Sequence, residues 1–141
     1  MDYDKLVAEF LVSAQLIQRE KQKKGISLNM QGESFILHII CIKGSVVPKE
    51  ISKAVGVSSA RIAVILNDLE KKGLITREID RDDRRQIIVK LTENGRRQAD
   101  ENERAFMQRI KQLFIMLGEK DAKEYVRIYG RLAEVIKTKS I

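Results

Sequence analysis

The stretch of sequence that decides the fold is GVSSARIAVILNDLEKKGLITREIDRDDRRQIIVKLTENG, which runs from Gly56 to Gly95. Its first half predicts an α-helix, because large aliphatic residues recur at helical spacing. They are Ile62, Ile65, Leu66 and Leu69. The hydroxyl of Ser58 suits the N-cap, where it accepts a hydrogen bond from a free backbone N–H group. Gly73 suits the left-handed position that follows the last turn, so the helix is expected to end at about Lys72.

The second half of this stretch predicts two antiparallel strands joined by a long charged loop. Apolar residues alternate with other side chains in Ile75–Ile79 and again in Ile87–Leu91. All six residues of Asp80–Arg85 are charged, and the absence of glycine among them argues against a two-residue turn. A polar hairpin tip with three arginines suits either full solvation or contact with phosphate groups.

The N-terminal part of the chain predicts two further helices. The first ends near Gly25, and its apolar stripe passes through Leu6, Phe10, Ser13 and Ile17. The second follows Asn29, a suitable N-cap, and contains the segment ESFILHIICIK at residues 33–43. This segment is apolar on nearly all sides, which favours a helix at the centre of the structure, although a buried strand is the competing interpretation.

A short helix and two long terminal helices complete the predicted order. Pro48 suits the first turn of a short helix that ends before Gly56, so this helix and the next one flank a tight turn. One long helix is expected over Thr92–Leu117, and a last helix follows Gly118. Gly130 in that last helix indicates either close packing across an interface or a tolerated defect. The expected fold class is mainly α with a small β-hairpin.

Length and charge narrow the class of protein. The 141 residues suffice for one domain with its own core, and the formal net charge is +7. Residues 43–97 hold thirteen basic and eight acidic side chains, which suits a polyanionic partner, although charge alone fits a solvated surface equally well. The apolar runs are too short to cross a bilayer, and acids occupy the N-terminus where a signal peptide carries basic residues. We therefore expect a cytoplasmic protein without membrane contact.

The sequence offers little for catalysis or metal binding. One histidine, His38, and one cysteine, Cys41, cannot complete the ligand set of a zinc site. The chain has no glycine-rich phosphate loop and no second histidine for an acid–base pair, and the paired acids Asp82 and Asp83 fall in the predicted exposed loop. We therefore expect no catalytic residues, no metal and no cofactor.

The stretch from Gly56 to Gly95 resembles the winged helix-turn-helix of the MarR family of transcriptional regulators. The residues that carry the resemblance form the family's wing pattern, and they are Asp80, Asp83, Arg84, Arg85, Val89, Leu91, Thr92 and Gly95. The order of helices outside this pattern also fits the family. The resemblance implies a single domain over residues 1–141, with a winged-helix core at 29–95 and dimerisation helices at 1–28 and 96–141. It further implies a homodimer on a near-palindromic double-stranded DNA operator, with half-sites about 34 Å apart.

The resemblance also implies which residues meet DNA. On the helix that follows Ser58, the apolar stripe faces inward. The predicted DNA contacts are Ser58 and the outward residues Ser59, Ala60, Arg61 and Val64, and Asp68 is also outward. Arg61 suits either a bidentate contact to guanine or a phosphate contact, and Val64 suits a thymine methyl group. Relatives often carry arginine near the positions of Val64 and Asp68, so readout here is expected to depend on DNA shape and on the loop arginines.

In the charged loop, the same mapping assigns a role to each of three residues. Arg85 is expected to enter the minor groove, where a narrow groove concentrates negative potential. Arg84 is expected to contact phosphate, and Asp83 to hold the neighbouring guanidinium in place.

Many relatives are repressors that leave DNA when a small, often aromatic, anion binds between the dimer helices and the winged helix. The candidate pocket residues are Phe10, Ile17 and His38, for each of which core packing is the alternative. Two other functions stay open. A thiol-based redox-sensing regulator would act through Cys41, although its neighbours Ile40 and Ile42 should restrict access. A winged helix used for protein contact would bind an acidic partner with the same arginines.

Overall fold

The computed structural model describes residues 1–26 and 30–139. In this part of the chain, six helices and three short strands form a mainly helical structure, which confirms the predicted fold class. The elements in order are α1 (Tyr3–Lys24), α2 (Gly32–Lys43), β1 (Ser45–Val46), α3 (Pro48–Val55), α4 (Ser59–Lys71), β2 (Ile75–Ile79), β3 (Ile87–Leu91), α5 (Glu93–Leu117) and α6 (Glu119–Thr138).

The apolar segment at residues 33–43 is a helix, α2, so the alternative of a buried strand is wrong. It lies at the centre of the structure and buries Ile36, Leu37, Ile39 and Ile40. The proposed N-cap Asn29 lies outside the described residues, and the residue that precedes the helix is Gln31.

Both ends of α4 lie where the sequence predicts them. The backbone N–H of Arg61 donates to Ser58 Oγ at 3.2 Å, which satisfies one of the free donors of the first turn. Gly73 follows the helix with φ = +73°, and its N–H donates to Glu70 O at 3.0 Å. The N–H of Leu74 donates to Leu69 O at 3.0 Å, which completes a Schellman motif.

The hairpin is part of a three-stranded antiparallel sheet in the order β1-β3-β2. Strands β2 and β3 have the predicted bounds, and their register pairs Ile75 with Leu91 and Ile79 with Ile87. The sequence did not reveal a third strand, Ser45–Val46, which pairs with the other side of β3. Two residues are too short for alternation to be visible in sequence.

The hydrophobic core lies between α2, α3, α4, the sheet and the first turns of α5. Its members include Ile51, Ile62, Leu66, Leu69, Val89 and Ala99. By contrast, neither α1 nor α6 buries a single residue within this chain. The core therefore belongs to the winged helix, and the terminal helices keep their apolar faces exposed. No helix of the described residues is long and apolar enough to cross a membrane.

Candidate nucleic-acid interface

The outward face of α4 is formed by the residues that the helical pattern placed there. Ile62, Leu66 and Leu69 are buried, and the opposite side of the helix is exposed. The exposed residues include the predicted contacts Ser58, Ser59, Ala60, Arg61, Val64 and also Asp68. This face offers one guanidinium group, one methyl-rich side chain and two hydroxyl groups near the helix N-terminus.

The turn between α3 and α4 is fixed by local hydrogen bonds. Gly56 adopts φ = +75°, and the hydroxyl of Ser52 donates to Val57 O at 2.6 Å. At the other end of α3, Lys43 Nζ donates to Glu50 Oε2 at 3.1 Å. That hydrogen bond, with a second from the backbone N–H of Val47, lowers the pKa of Glu50. Both ends of α3 are therefore tied to their neighbours, which sets the direction in which α4 leaves the core.

A two-hydrogen-bond ion pair ties the end of α4 to the first strand of the hairpin. Arg77 donates from Nε to Glu70 Oε2 at 3.1 Å and from Nη2 to Glu70 Oε1 at 3.0 Å. These hydrogen bonds lower the pKa of Glu70 and raise the pKa of Arg77. Sequence reasoning missed this pair, although the charged Arg77 on the apolar face of β2, between Ile75 and Ile79, was the available signal.

The charged loop, which with β2 and β3 is called the wing from here on, is closed by its own hydrogen bonds. The N–H of Asp80 donates to Gln86 O at 3.0 Å, and the N–H of Gln86 donates to Asp83 O at 2.9 Å. Asp80 Oδ1 accepts from the N–H of Asp82 at 2.9 Å. The loop thus has a defined backbone, from which its three arginine side chains project.

Asp83 accepts two hydrogen bonds from Arg85. Asp83 Oδ1 accepts from the backbone N–H of Arg85 at 3.1 Å and from its Nε at 3.2 Å. The side chain of Arg85 is nevertheless 91% exposed, so its remaining donors point into solvent. Arg84 and Arg81 are also exposed. The tip of the wing therefore presents three guanidinium groups, one of which is fixed at its base.

The base of the wing is joined to the start of α5. The Thr92 hydroxyl donates to Gly73 O at 2.6 Å and accepts from the N–H of Gly95 at 3.0 Å. The N–H of Thr92 donates to Leu74 O at 3.0 Å. Thr92 and Gly95 of the wing pattern therefore connect α4, β2 and α5.

None of the three predicted pocket residues is fully buried in the single chain. Phe10 and Ile17 are exposed on α1, so the alternative of core packing within the chain is wrong for both, and His38 is half-buried in α2. None of the three lines either of two cavities that the structure does contain. Periodicity does not specify how α1 packs, so the assignment of these three residues to a ligand pocket stays a prediction.

The larger cavity is an apolar groove of about 610 Å³ between α5 and the start of α6, lined mainly by Phe106, Ile110, Phe114 and Ala122. The smaller cavity, of about 240 Å³, lies between the start of α2 and α5. Its lining is mixed, with the polar residues Gln31, Ser34, Asn102 and Arg109 and the apolar residues Met30, Ala105 and Phe106. Arg109 also lies over the ring of Phe106, at 5.8 Å from its centroid.

Cys41 is half-buried and contacts the core, so its burial is less complete than its isoleucine neighbours suggested. Among residues 1–26 and 30–139, no three histidine, cysteine or acidic side chains form a group that fits a metal ion.

Comparison with known proteins places the chain among transcriptional regulators. A sequence profile described as MarR family matches residues 24–86. The chain is 32% identical over 142 residues to the uncharacterized HTH-type transcriptional regulator YwhA of Bacillus subtilis (strain 168), and the match covers 95% of this chain and all of that protein.

Solved structures of similar proteins share the fold. The YusO protein of Bacillus subtilis superposes with a TM-score of 0.72 at 23% identity, over 95% of this chain and 99% of YusO. FabT of Streptococcus pneumoniae, whose structure is in complex with DNA, superposes with a TM-score of 0.66 at 23% identity, over 96% of this chain and 98% of FabT.

Proposed function

This chain belongs to the MarR family of transcriptional regulators, and we propose that it is a homodimeric repressor that binds a near-palindromic DNA operator and is released by a small anionic ligand. The observation that carries the DNA-binding part is the wing tip. There Arg85 is held by Asp83 and remains 91% exposed. A guanidinium group fixed on a projecting loop suits the minor groove, whose narrow segments attract arginine.

The helix α4 supplies the second contact. Its exposed face carries Arg61 near the N-terminus, the part of a recognition helix that reaches base edges in the major groove. The Glu70–Arg77 ion pair fixes this helix relative to the wing. One winged helix therefore offers a major-groove element and a minor-groove element in a set relative position.

The dimer is supported by the terminal helices. Apolar side chains along α1 and α6 stay exposed in the single chain, among them Leu6, Phe10, Leu11, Ile17, Tyr125, Tyr129, Leu132 and Ile136. Contiguous apolar faces of this extent are typical of an interface. A second copy of the chain would cover them and would present two α4 helices to successive major grooves.

The ligand site is supported by the smaller cavity. It lies between α2, which belongs to the winged-helix core, and α5, which belongs to the proposed dimer helices. Arg109 lines it together with the polar residues Gln31 and Ser34, a set that suits a small anion. A ligand that binds more tightly to one arrangement of α2 and α5 would favour that arrangement. Because α4 belongs to the same core as α2, the spacing of the two α4 helices in the dimer would change with it.

The test is binding to DNA by fluorescence anisotropy across a salt series. The duplexes are the region upstream of the gene for this chain, a duplex selected by the protein from a random pool, and a scrambled duplex. We expect tight binding to the upstream or the selected duplex that falls steeply with salt, as counterion release requires. The substitution Arg85→Ala should weaken binding strongly, whereas Arg131→Ala in α6 should not. Equal, weak binding to all three duplexes would contradict the proposal and favour a winged helix that binds proteins.

A further inference from the structure

Two isoleucines form an exposed apolar pair at the end of the wing. Ile79 in β2 and Ile87 in β3 stand directly opposite each other in the antiparallel register. Residues paired in this way point to the same face of the sheet. Ile79 is 66% exposed and Ile87 is 45% exposed, so the pair forms one apolar patch immediately beside the charged loop.

This patch is the outer end of the face that packs on the core. Ile75 and Val89 lie on the same face nearer the base of the hairpin, and both are buried. The opposite face carries the polar residues Thr76, Glu78 and Lys90, besides the half-buried Ile88. Arg77 lies on this face between Ile75 and Ile79, so the apolar surface reaches the outer isoleucine pair along β3, through Val89.

The position of the patch argues against coverage by a second copy of the chain. The exposed apolar residues of the terminal helices lie on α1, the C-terminal half of α5 and α6. Strand β3 runs from Ile87 towards α5, and its five residues, Ile87–Leu91, place the first and last Cα atoms about 13 Å apart. The pair thus lies at the end of the hairpin that points away from α5.

We propose that Ile79 and Ile87 pack against the deoxyribose rings of duplex DNA when the wing binds. This inference rests on the proposed DNA-binding function and adds an apolar contact to it. The loop Asp80–Arg85 is electrically neutral, with three arginines and three aspartates. Asp80 and Asp83 are half-buried and accept hydrogen bonds within the loop, whereas Arg81, Arg84 and Arg85 are exposed and can contact a polyanion, which favours this occupant. Beside the phosphates, the backbone of DNA offers the C–H groups of its sugars, which an isoleucine pair can cover once the arginines hold the strand close.

An apolar contact has a signature that a phosphate contact lacks. Loss of an arginine–phosphate contact reduces the steepness of the salt dependence, because fewer counterions are released on binding. Loss of isoleucine contacts weakens binding at every salt concentration and leaves that slope unchanged. The two kinds of contact in the wing are therefore separable in one titration.

The experiment compares the double variant Ile79→Thr/Ile87→Thr with the unaltered protein on the duplex selected from a random pool. Threonine retains the β-branched shape that strands favour and replaces part of the apolar surface with a hydroxyl group. We expect affinity to fall about tenfold, with an unchanged salt slope, since about two methyl-sized groups lose their burial. The single variant Ile79→Thr, at the more exposed position, should lose affinity about fourfold. It replaces the double variant in the test if the double variant does not fold.

Two control variants complete the design. Ile88→Thr makes the same chemical change on the opposite face of β3 and should leave affinity unchanged, whereas Arg84→Ala should reduce the salt slope by about one. Unchanged affinity of a folded Ile79 variant, or an equal loss in Ile88→Thr, would overturn the inference while DNA binding itself stands. A change in the oligomer mass of the double variant would assign the patch to self-association. Failure of the unaltered protein to prefer any duplex would overturn the proposed function and this inference with it.

Discussion

The Cα atom of Gly95 in α5 lies directly against the backbone carbonyl of Leu74, the residue that precedes β2. A Cβ atom at position 95 would overlap the carbonyl oxygen of Leu74. The same oxygen accepts a hydrogen bond from the N–H of Thr92, which holds the two segments together. The close approach joins the end of α4 to the start of α5, a proposed dimer helix. A side chain at this position would force those two elements apart.

The substitution Gly95→Ala should therefore destabilise the protein. The clash is with backbone atoms, which cannot move aside as the end of a flexible side chain can. We expect the free energy of unfolding to fall by about 2 kcal/mol, as for overpacking in other close-packed sites. Urea unfolding at fixed protein concentration measures the loss.

The matched control is Gly130→Ala in α6, where no atom of residues 1–26 and 30–139 lies within 4 Å of the added Cβ. Alanine should stabilise this helix by up to about 1 kcal/mol, because glycine is the poorer helix former. Equal stability of Gly95→Ala and the unaltered protein would contradict the close approach at Leu74. A weaker dimer in Gly130→Ala would show instead that the helices of two copies pack closely at that glycine.

The ion pair between Glu70 and Arg77 predicts a specific dependence on pH. The hydrogen bonds from Arg77 lower the pKa of Glu70 below its ordinary value of 4.5. The stabilisation is fully present above that ordinary value, and it is lost as the pH falls through the lower pKa of the folded state. The stability difference between the unaltered protein and Glu70→Gln should therefore shrink below pH 4.5, as urea unfolding between pH 3 and pH 6 would measure.

The control for this pH dependence is Glu78→Gln, in the same hairpin. Its carboxylate lies at a longer 3.7 Å from Lys90 Nζ, and both side chains are well exposed, so the effect should be smaller. A difference between Glu70→Gln and the unaltered protein that stays constant down to pH 3 would contradict the ion pair.

Much of the winged helix could be predicted because its signals are local. Ser58 and Gly73 mark the two ends of α4, and both lie within one residue or two of the helix. The alternation of apolar residues fixes the faces and the bounds of β2 and β3. The wing loop was identified from an unbroken run of charges, and Asp83 and Arg85 are close enough in sequence for their contact to be inferred.

The features that the sequence did not reveal depend on segments that meet only in the folded chain. Glu70 and Arg77 come together because the chain reverses at Gly73, and Leu74 reaches Gly95 only when the hairpin closes. The ligand pocket stays a prediction for the same reason, since the stripe on α1 specifies a helix but not what that helix packs against. The helical period of a sequence shows which residues share a face of a helix, but not which distant segment that face contacts.

The role of Arg61 is testable by a substitution that keeps its charge. Because Arg61 lies near the N-terminus of α4 and is exposed, we expect it to contact a base with two hydrogen bonds, for which lysine lacks the geometry. Arg61→Lys should reduce the ratio of affinities for the selected and the scrambled duplex. The difference in binding free energy between the two duplexes should fall by about 1–3 kcal/mol. Anisotropy titrations on both duplexes measure this ratio. An equal weakening on both duplexes would assign Arg61 to a phosphate.

The terminal helices should make the protein a dimer at micromolar concentration. Light scattering should then give twice the chain mass of 16.2 kDa. Leu132→Glu places a charge in the exposed apolar stripe of α6, and burying it against a second copy is unfavourable without a partner charge, so this variant should be monomeric. Arg131→Glu changes the charge next to the stripe and should leave the mass unchanged.

Because the proposed operator contact needs two α4 helices, the monomer should also lose its preference for the selected duplex. A monomeric mass for the unaltered protein, or a dimer in Leu132→Glu, would contradict this assignment of the apolar faces.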